Sequence, residues 1–200
     1  MQHAMIAIRA TGYAPGSSIL TIGAVRFDPN EEDLAPGMTG AEAEPDRLFY
    51  RRIDRASNRR AGMVDDEATL VAMAMEGEPA DMAEAFNPAD RVDLRTALCD
   101  LRGWMRRPMQ GTLIPFGDGD PVRIVWGGLA GIDIGLLDAA YRAVGEVAAW
   151  TWRDVRDART LLGYADIACH LAPHALQDAV SYAAAIQRAH CNRIWGSEGR

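Results

Sequence analysis

Two apolar segments separated by a short turn open the chain, and they restrict its fold more than any other feature. Residues 4–9 and 19–28 have the composition of buried strands, and the segment between them is a turn rich in Gly12, Pro15, Gly16 and Ser17. A third strand-like segment, RLFYRRI, follows at 47–53. Consecutive strands joined by turns pair antiparallel, so we expect the sheet to begin with three antiparallel strands.

The rest of the chain alternates between helical and strand-like patterns. Residues 122–128 resemble a buried strand, and helices are predicted at 65–86, 92–107, 131–145, 155–166 and 174–191. This order predicts an α/β fold with a mixed central sheet and helices on both faces. A chain of 200 residues suits one domain over 1–200. Two segments of loop composition, 30–46 and 108–121, are interpreted as loop insertions.

Composition narrows the possible functions. The net charge is −7 and every basic residue is an arginine, so no overall basic field attracts nucleic acid, although a local basic groove stays possible. The three cysteines form no CxxC pair, which argues against a disulfide framework. No apolar segment is long enough to span a membrane. We therefore expect a soluble protein of a reducing cytoplasm.

Four stretches in a fixed order resemble one enzyme family. They are MIAIRATGYAPGSSILTIGAVRFDP (5–29), DDEATLVAMAMEGEPADMAEAF (65–86), IVWGGLAGIDIGLLDAAYRAVG (124–145), and the C-terminal stretch made of RDARTLL (156–162) and PHALQDAVSYAAAIQ (173–187). Together they resemble the DEDDh 3′–5′ exonucleases, and most closely the small bacterial and phage exoribonucleases. The resemblance implies a ribonuclease H-like fold.

The same resemblance implies two divalent cations held by four carboxylates, with a histidine as general base. Asp133 and Asp178 retain two of the carboxylate positions, and Ala7 and Arg9 stand at the other two. Pro173 stands at the position of the histidine, one residue before His174. Alternation along a strand places Ala7 and Arg9 on one face.

Arg9 invites an interpretation of its own. A guanidinium can donate to two carboxylates, so we expect Arg9 to lie between Asp133 and Asp178 in place of the metal; the alternative is an arginine that points to solvent. On this view the chain is a catalytically degenerate exonuclease-like protein without a cofactor, which acts through nucleic-acid or protein binding. The alternatives are an active magnesium- or manganese-dependent exoribonuclease with relocated ligands, and a structural subunit of a larger complex.

One arginine-rich segment could serve nucleic-acid binding. Residues 47–60 interleave arginines with aromatic residues, a pattern that suits a single-stranded RNA or DNA backbone. The predicted phosphate contacts are Arg51, Arg52, Arg59 and Arg60. The alternative is the solvated face of an edge strand, which charge protects from pairing with other chains.

Overall fold

A mixed sheet forms the centre of the computed structural model, which describes residues 3–35, 45–77, 79–107, 122–169 and 174–195. Its strands are β1 His3–Ala10, β2 Ile19–Phe27, β3 Leu48–Ile53, β4 Arg91–Val92, β5 Ile124–Gly127 and β6 Val155–Asp157. They are ordered β4-β3-β2-β1-β5-β6. The pairs β1–β2 and β2–β3 are antiparallel and the other pairs are parallel, which confirms the predicted mixed sheet with its antiparallel start.

Helices cover both faces of this sheet, as predicted. Those in the described residues are α1 Arg55–Arg60, α2 Glu67–Glu76, α3 Pro79–Phe86, α4 Leu94–Arg106, α5 Ala130–Ala143, α6 Ala158–Ala165 and α7 Ala175–Trp195. The buried residues of α4 and α5 join one hydrophobic core. Those of α6 and α7 join a second core on the opposite face.

Strand β1 divides its side chains between the two cores. Ala4, Ile6 and Ile8 belong to the core beneath α4 and α5. Met5 and Ala7 belong to the core beneath α6 and α7, and Arg9 continues their row because side chains alternate along a strand. The sequence-based expectation that Ala7 and Arg9 share a face therefore agrees with the structure.

The predicted helix at 65–86 is two helices in the structure. Asp66 caps α2 by accepting a hydrogen bond from the Thr69 N–H. The helix ends at Gly77, whose backbone is extended, and α3 then begins at Pro79. Proline suits the first position of a helix because it lacks the N–H that would have no partner there.

The sequence prediction also missed three short elements. Residues 155–157 were expected to be helical, but they form β6, which pairs parallel with β5. The short strand β4 and the helix α1 follow from tertiary contacts in the same way. In α1 the buried Asn58 side chain accepts from the Ile19 N–H at 3.0 Å and donates to the Ile19 carbonyl at 2.9 Å, so it extends the pairing of β2.

The two predicted loop insertions lie largely outside the described residues. Of 30–46 the structure describes 30–35 and 45–46, and none of 108–121 is described. The base of the first insertion is held by Arg47, which donates to both oxygens of Asp33 at 2.6 and 2.8 Å. No helix in the described part of the chain is long and apolar enough to cross a membrane.

Candidate functional site

A cleft of about 230 Å³ opens where β1, α5, α6 and α7 meet. It brings together four positions singled out from the sequence: Ala7, Arg9, Asp133 and Asp178. Its remaining lining residues are Ile8, Tyr13, Gly128, Leu129, Ile132, Arg159 and Tyr182. Residues from distant parts of the chain therefore converge on one hollow.

Arg9 forms an ion pair with Asp178 inside this cleft. Its Nη1 atom donates to Asp178 Oδ2 at 2.7 Å, and the two side chains are 21% and 3% exposed. Helix α7 can approach the sheet closely because β2 carries Gly23 at the contact, where a Cβ would clash with the backbone of Ala175 and Leu176. Of the two contacts expected for Arg9, the one with Asp178 is thus observed.

Asp133 has a different set of partners. Its Oδ2 atom accepts a hydrogen bond from the Leu129 N–H at 3.0 Å, across the first turn of α5. Burial raises the pKa of Asp133 to about 6, although N–H groups of Leu129 and Gly128 and the Arg159 charge act in the opposite direction. The Asp178 charge raises this pKa further. Asp133 is therefore a carboxyl group whose pKa lies well above that of an exposed aspartate.

Arg159 and Tyr182 are cleft residues that sequence reasoning did not find. Arg159 Nε donates to the Tyr182 hydroxyl at 2.9 Å. The Tyr182 ring packs on Gly128, where a Cβ would lie 2.8 Å from the ring, so a side chain there would displace it. One available signal was the spacing of Asp178 and Tyr182, because residues four apart share a helix face.

His174 faces the sheet next to the cleft. Its ring lies against the Tyr50 ring at a tilt of 32°, with centroids 4.4 Å apart, and the Tyr50 hydroxyl donates to the buried Glu84 at 2.9 Å. Burial lowers the pKa of His174, the Glu84 charge raises it, and the Arg52 and Arg9 charges lower it again. Pro173, which stands at the position of the family's histidine, lies outside the described residues.

The four arginines proposed for phosphate contacts do not share one surface. Arg51 and Arg52 are neighbours on β3, so they lie on opposite faces of the sheet. Arg51 pairs with Asp100 at 2.9 Å. Arg59 and Arg60, at the end of α1, lie 3.9 Å from Asp65 and 3.2 Å from Asp93 respectively. Their role in binding stays a prediction.

Strand register creates a different row of basic residues. Arg9 pairs with Thr21 across β1 and β2, Thr21 pairs with Arg52, and Arg52 pairs with Arg91. Directly paired residues lie side by side on one face, so this row extends from the cleft across four strands. The Arg91 guanidinium holds the carbonyls of Ile53 and Ala85. We refer to Arg9, Arg52 and Arg91 as the arginine row.

The cleft does not fit the two-metal centre that the resemblance implies. Such a centre places two cations about 4 Å apart between carboxylates. Here Asp178 is paired with a guanidinium, and Ala7 offers no ligand atom. Among the residues that the structure describes, no group of three or more His, Cys, Asp or Glu side chains is arranged to hold a metal ion.

A family model of known proteins matches nearly the whole chain. The family model of the 3′–5′ exoribonuclease Rv2179c-like domain matches residues 2–195. No curated protein matches the chain. The match spans the cleft and the arginine row, and it confirms the resemblance to 3′–5′ exonucleases that the motifs indicated.

Proposed function

The chain belongs to the 3′–5′ exoribonuclease Rv2179c-like domain family, and we propose that it is a catalytically degenerate member. It keeps the exonuclease-like fold and cleft and acts by binding the end of a single-stranded nucleic acid. The observation that carries this proposal is the ion pair between Arg9 and Asp178, at 2.7 Å inside the cleft.

Two features of the cleft oppose metal-dependent catalysis, the loss of two carboxylates and the Arg9–Asp178 ion pair. Two divalent cations need several carboxylates to balance their charge, and the substitutions at Ala7 and Arg9 remove two of them. The positive charge of the Arg9 guanidinium also repels a cation from the site beside Asp178, because Arg9 already donates to that carboxylate. Restoring a metal would therefore require displacing Arg9 as well as supplying ligands.

The same groups support anion binding. Arg9 and Arg159 place two guanidinium groups on the cleft wall, and a guanidinium matches the geometry of phosphate oxygens. The arginine row continues this character across the sheet. A nucleic-acid backbone held by such groups needs no metal.

The alternative is an active metal-dependent exoribonuclease, which family membership and the two retained aspartates favour. A direct test compares the wild-type protein with the double variant Ala7→Asp/Arg9→Glu, which rebuilds the four-carboxylate pattern of the family. Calorimetric titration with magnesium and manganese should show no binding to the wild-type protein and stoichiometric binding to the double variant.

Turnover is measured on the same two proteins. The wild-type protein should release no nucleotides from the 3′ end of labelled single-stranded RNA or DNA in millimolar magnesium or manganese. Loss of a general base alone typically costs about 10²–10⁴-fold in rate, and the metal ligands are lost in addition. Metal-dependent release by the wild-type protein, abolished in Asp178→Ala, would overturn the proposal even if the double variant did not fold.

A further inference from the structure

A second hollow lies beside the cleft. It has a volume of about 310 Å³ and is lined by Arg159, Leu162, Gly163, Ile167, Cys169 and Tyr182. Arg159 and Tyr182 line the cleft as well, so their 2.9 Å hydrogen bond is common to both hollows. We call this second hollow the α6 pocket. It contains neither Arg9 nor the two cleft aspartates.

The end of helix α6 builds the apolar floor of this pocket. Asp166 adopts the left-handed conformation, with φ 54° and ψ 41°, and turns the chain back. The Ile167 N–H then donates to the Leu162 carbonyl at 3.0 Å, and the Asp166 N–H to the Gly163 carbonyl at 3.4 Å. These two bonds define a Schellman motif, which commonly brings the side chains at the positions of Leu162 and Ile167 together.

The other side of the α6 pocket has flat polar groups. Arg159 makes no ion pair within 4.0 Å among the described residues, and its described side-chain bond is to the Tyr182 hydroxyl. The exposed Arg159 guanidinium is planar and can stack on an aromatic ring, whereas Tyr182 is only 5% exposed. Gly163 adds room, because a Cβ at this position would meet no heavy atom within 4 Å. The pocket thus joins an apolar floor to a cation at its rim.

We propose that the α6 pocket binds a small molecule that joins an aromatic ring to an anionic group. The ring lies on Leu162 and Ile167 next to Tyr182, and the anion contacts the Arg159 guanidinium. The volume suits a ligand of this size, since small-molecule sites begin at about 300 Å³. The α6 pocket contains neither Arg9 nor Asp178 but shares Arg159 with the cleft, so this small-molecule site goes beyond the proposed function while using one of its two guanidinium groups.

Cys169 supplies the test, because it lines the pocket and is a free, partly buried thiol. Alkylation by iodoacetamide is followed at each cysteine by peptide mass spectrometry, with phenyl phosphate as the probe. Phenyl phosphate should slow alkylation of Cys169 about tenfold at saturation, while Cys99 and Cys191 serve as internal controls and keep their rates. Inorganic phosphate and benzyl alcohol, each half of the probe, should protect far less.

Two variants connect protection to the pocket. Gly163→Met should fill the hollow and abolish protection, whereas Gly103→Met is the matched control, because Gly103 also lies in a helix with open space at its Cβ position. Arg159→Met should abolish protection independently. No protection by phenyl phosphate, equal protection by inorganic phosphate, or undiminished protection in both pocket variants would each overturn the proposal. None of these readouts depends on nuclease turnover.

Discussion

At the scale of one residue, Asp133 is a buried carboxyl group whose ionisation costs the folded protein free energy. Burial disfavours its charged form more strongly than the hydrogen bonds and the Arg159 charge favour it, so its pKa lies at about 6 instead of 3.8. The folded protein therefore holds this proton more tightly than the unfolded chain. The stability that this group contributes is complete below about pH 4 and is lost as pH rises through about 6.

Replacing this carboxylate should stabilise the protein at neutral pH. Asp133→Asn keeps an oxygen that can accept the Leu129 N–H and removes the buried charge. We expect the free energy of unfolding at pH 7 to rise by about 3 kcal/mol, because the pKa rises from 3.8 to about 6 and one pKa unit corresponds to about 1.4 kcal/mol. Urea unfolding at pH 4.5 and pH 7 measures this.

The matched control for this prediction is Asp90→Asn, which changes an exposed aspartate in a loop. It should leave the difference between the two pH values as in the wild-type protein. If Asp133→Asn destabilises the fold at pH 7, or retains the wild-type pH dependence, burial of this carboxylate carries no such cost.

The cleft residues differ in how far the sequence could predict them. Ala7 and Arg9 share a face because strands alternate, and Asp133 and Asp178 follow from their places in two motifs. Arg159 and Tyr182 could not be found in this way, since their pairing depends on the packing of α6 against α7. Gly128 leaves room for the Tyr182 ring because it has no side chain, and this role can be recognised only once the packing of α6 against α7 is known.

At the scale of elements, the end of α6 depends on an unusual aspartate. Asp166 has a positive φ of 54° and is exposed, so its backbone conformation is its main contribution to the Schellman motif. Left-handed backbone is disfavoured for residues with a Cβ, although aspartate tolerates it better than most. Glycine adopts this conformation without the steric penalty.

Asp166→Gly should therefore stabilise the protein modestly. We expect the free energy of unfolding to rise by about 0.5 kcal/mol, because relief of strain exceeds the added flexibility of the unfolded chain. Asp166→Val is the opposing variant and should lower it by more than about 1 kcal/mol, since a branched side chain fits this conformation poorly. Thermal unfolding of both variants measures this, and a lower Tm for Asp166→Gly would contradict it.

Predictability also varied among elements for physical reasons. The long helices α4, α5 and α7 and the strands β1 and β2 bury long periodic patterns that a sequence displays. β4 and β6 have two and three residues respectively, too few for a period, and they exist because β3 and β5 offer them partners. α1 depends likewise on Asn58, whose amide needs Ile19 of β2 beside it.

At the scale of the whole molecule, three arginines are aligned on one face of the sheet of an acidic protein. The chain carries −7 overall, yet the row of Arg9, Arg52 and Arg91 lies on the cleft side of the sheet. Arg51 is the immediate neighbour of Arg52 but faces the other way and pairs with Asp100. The predicted set of Arg51, Arg52, Arg59 and Arg60 therefore divides into residues with different access to a nucleic acid in the cleft.

This division makes the last prediction specific to one arginine of an adjacent pair. If a single-stranded nucleic acid leaves the cleft along the arginine row, Arg52→Gln should weaken binding, and Arg51→Gln, the matched control, should not. Each phosphate contact contributes about −0.7 to the slope of log affinity against log salt for single strands, so Arg52→Gln should flatten the slope by about that amount. Fluorescence anisotropy with a short labelled RNA and DNA, over a series of salt concentrations, measures both variants.

Both substitutions remove one positive charge and leave the net charge of the two variants equal. A difference between them therefore reports the position of the arginine and excludes an effect of overall charge. Equal losses in the two variants would contradict a path along the arginine row and favour a diffuse electrostatic attraction. Absence of binding even at low salt would remove nucleic acid as the partner, and the cleft would then be a shape inherited from an exonuclease and used to contact another protein.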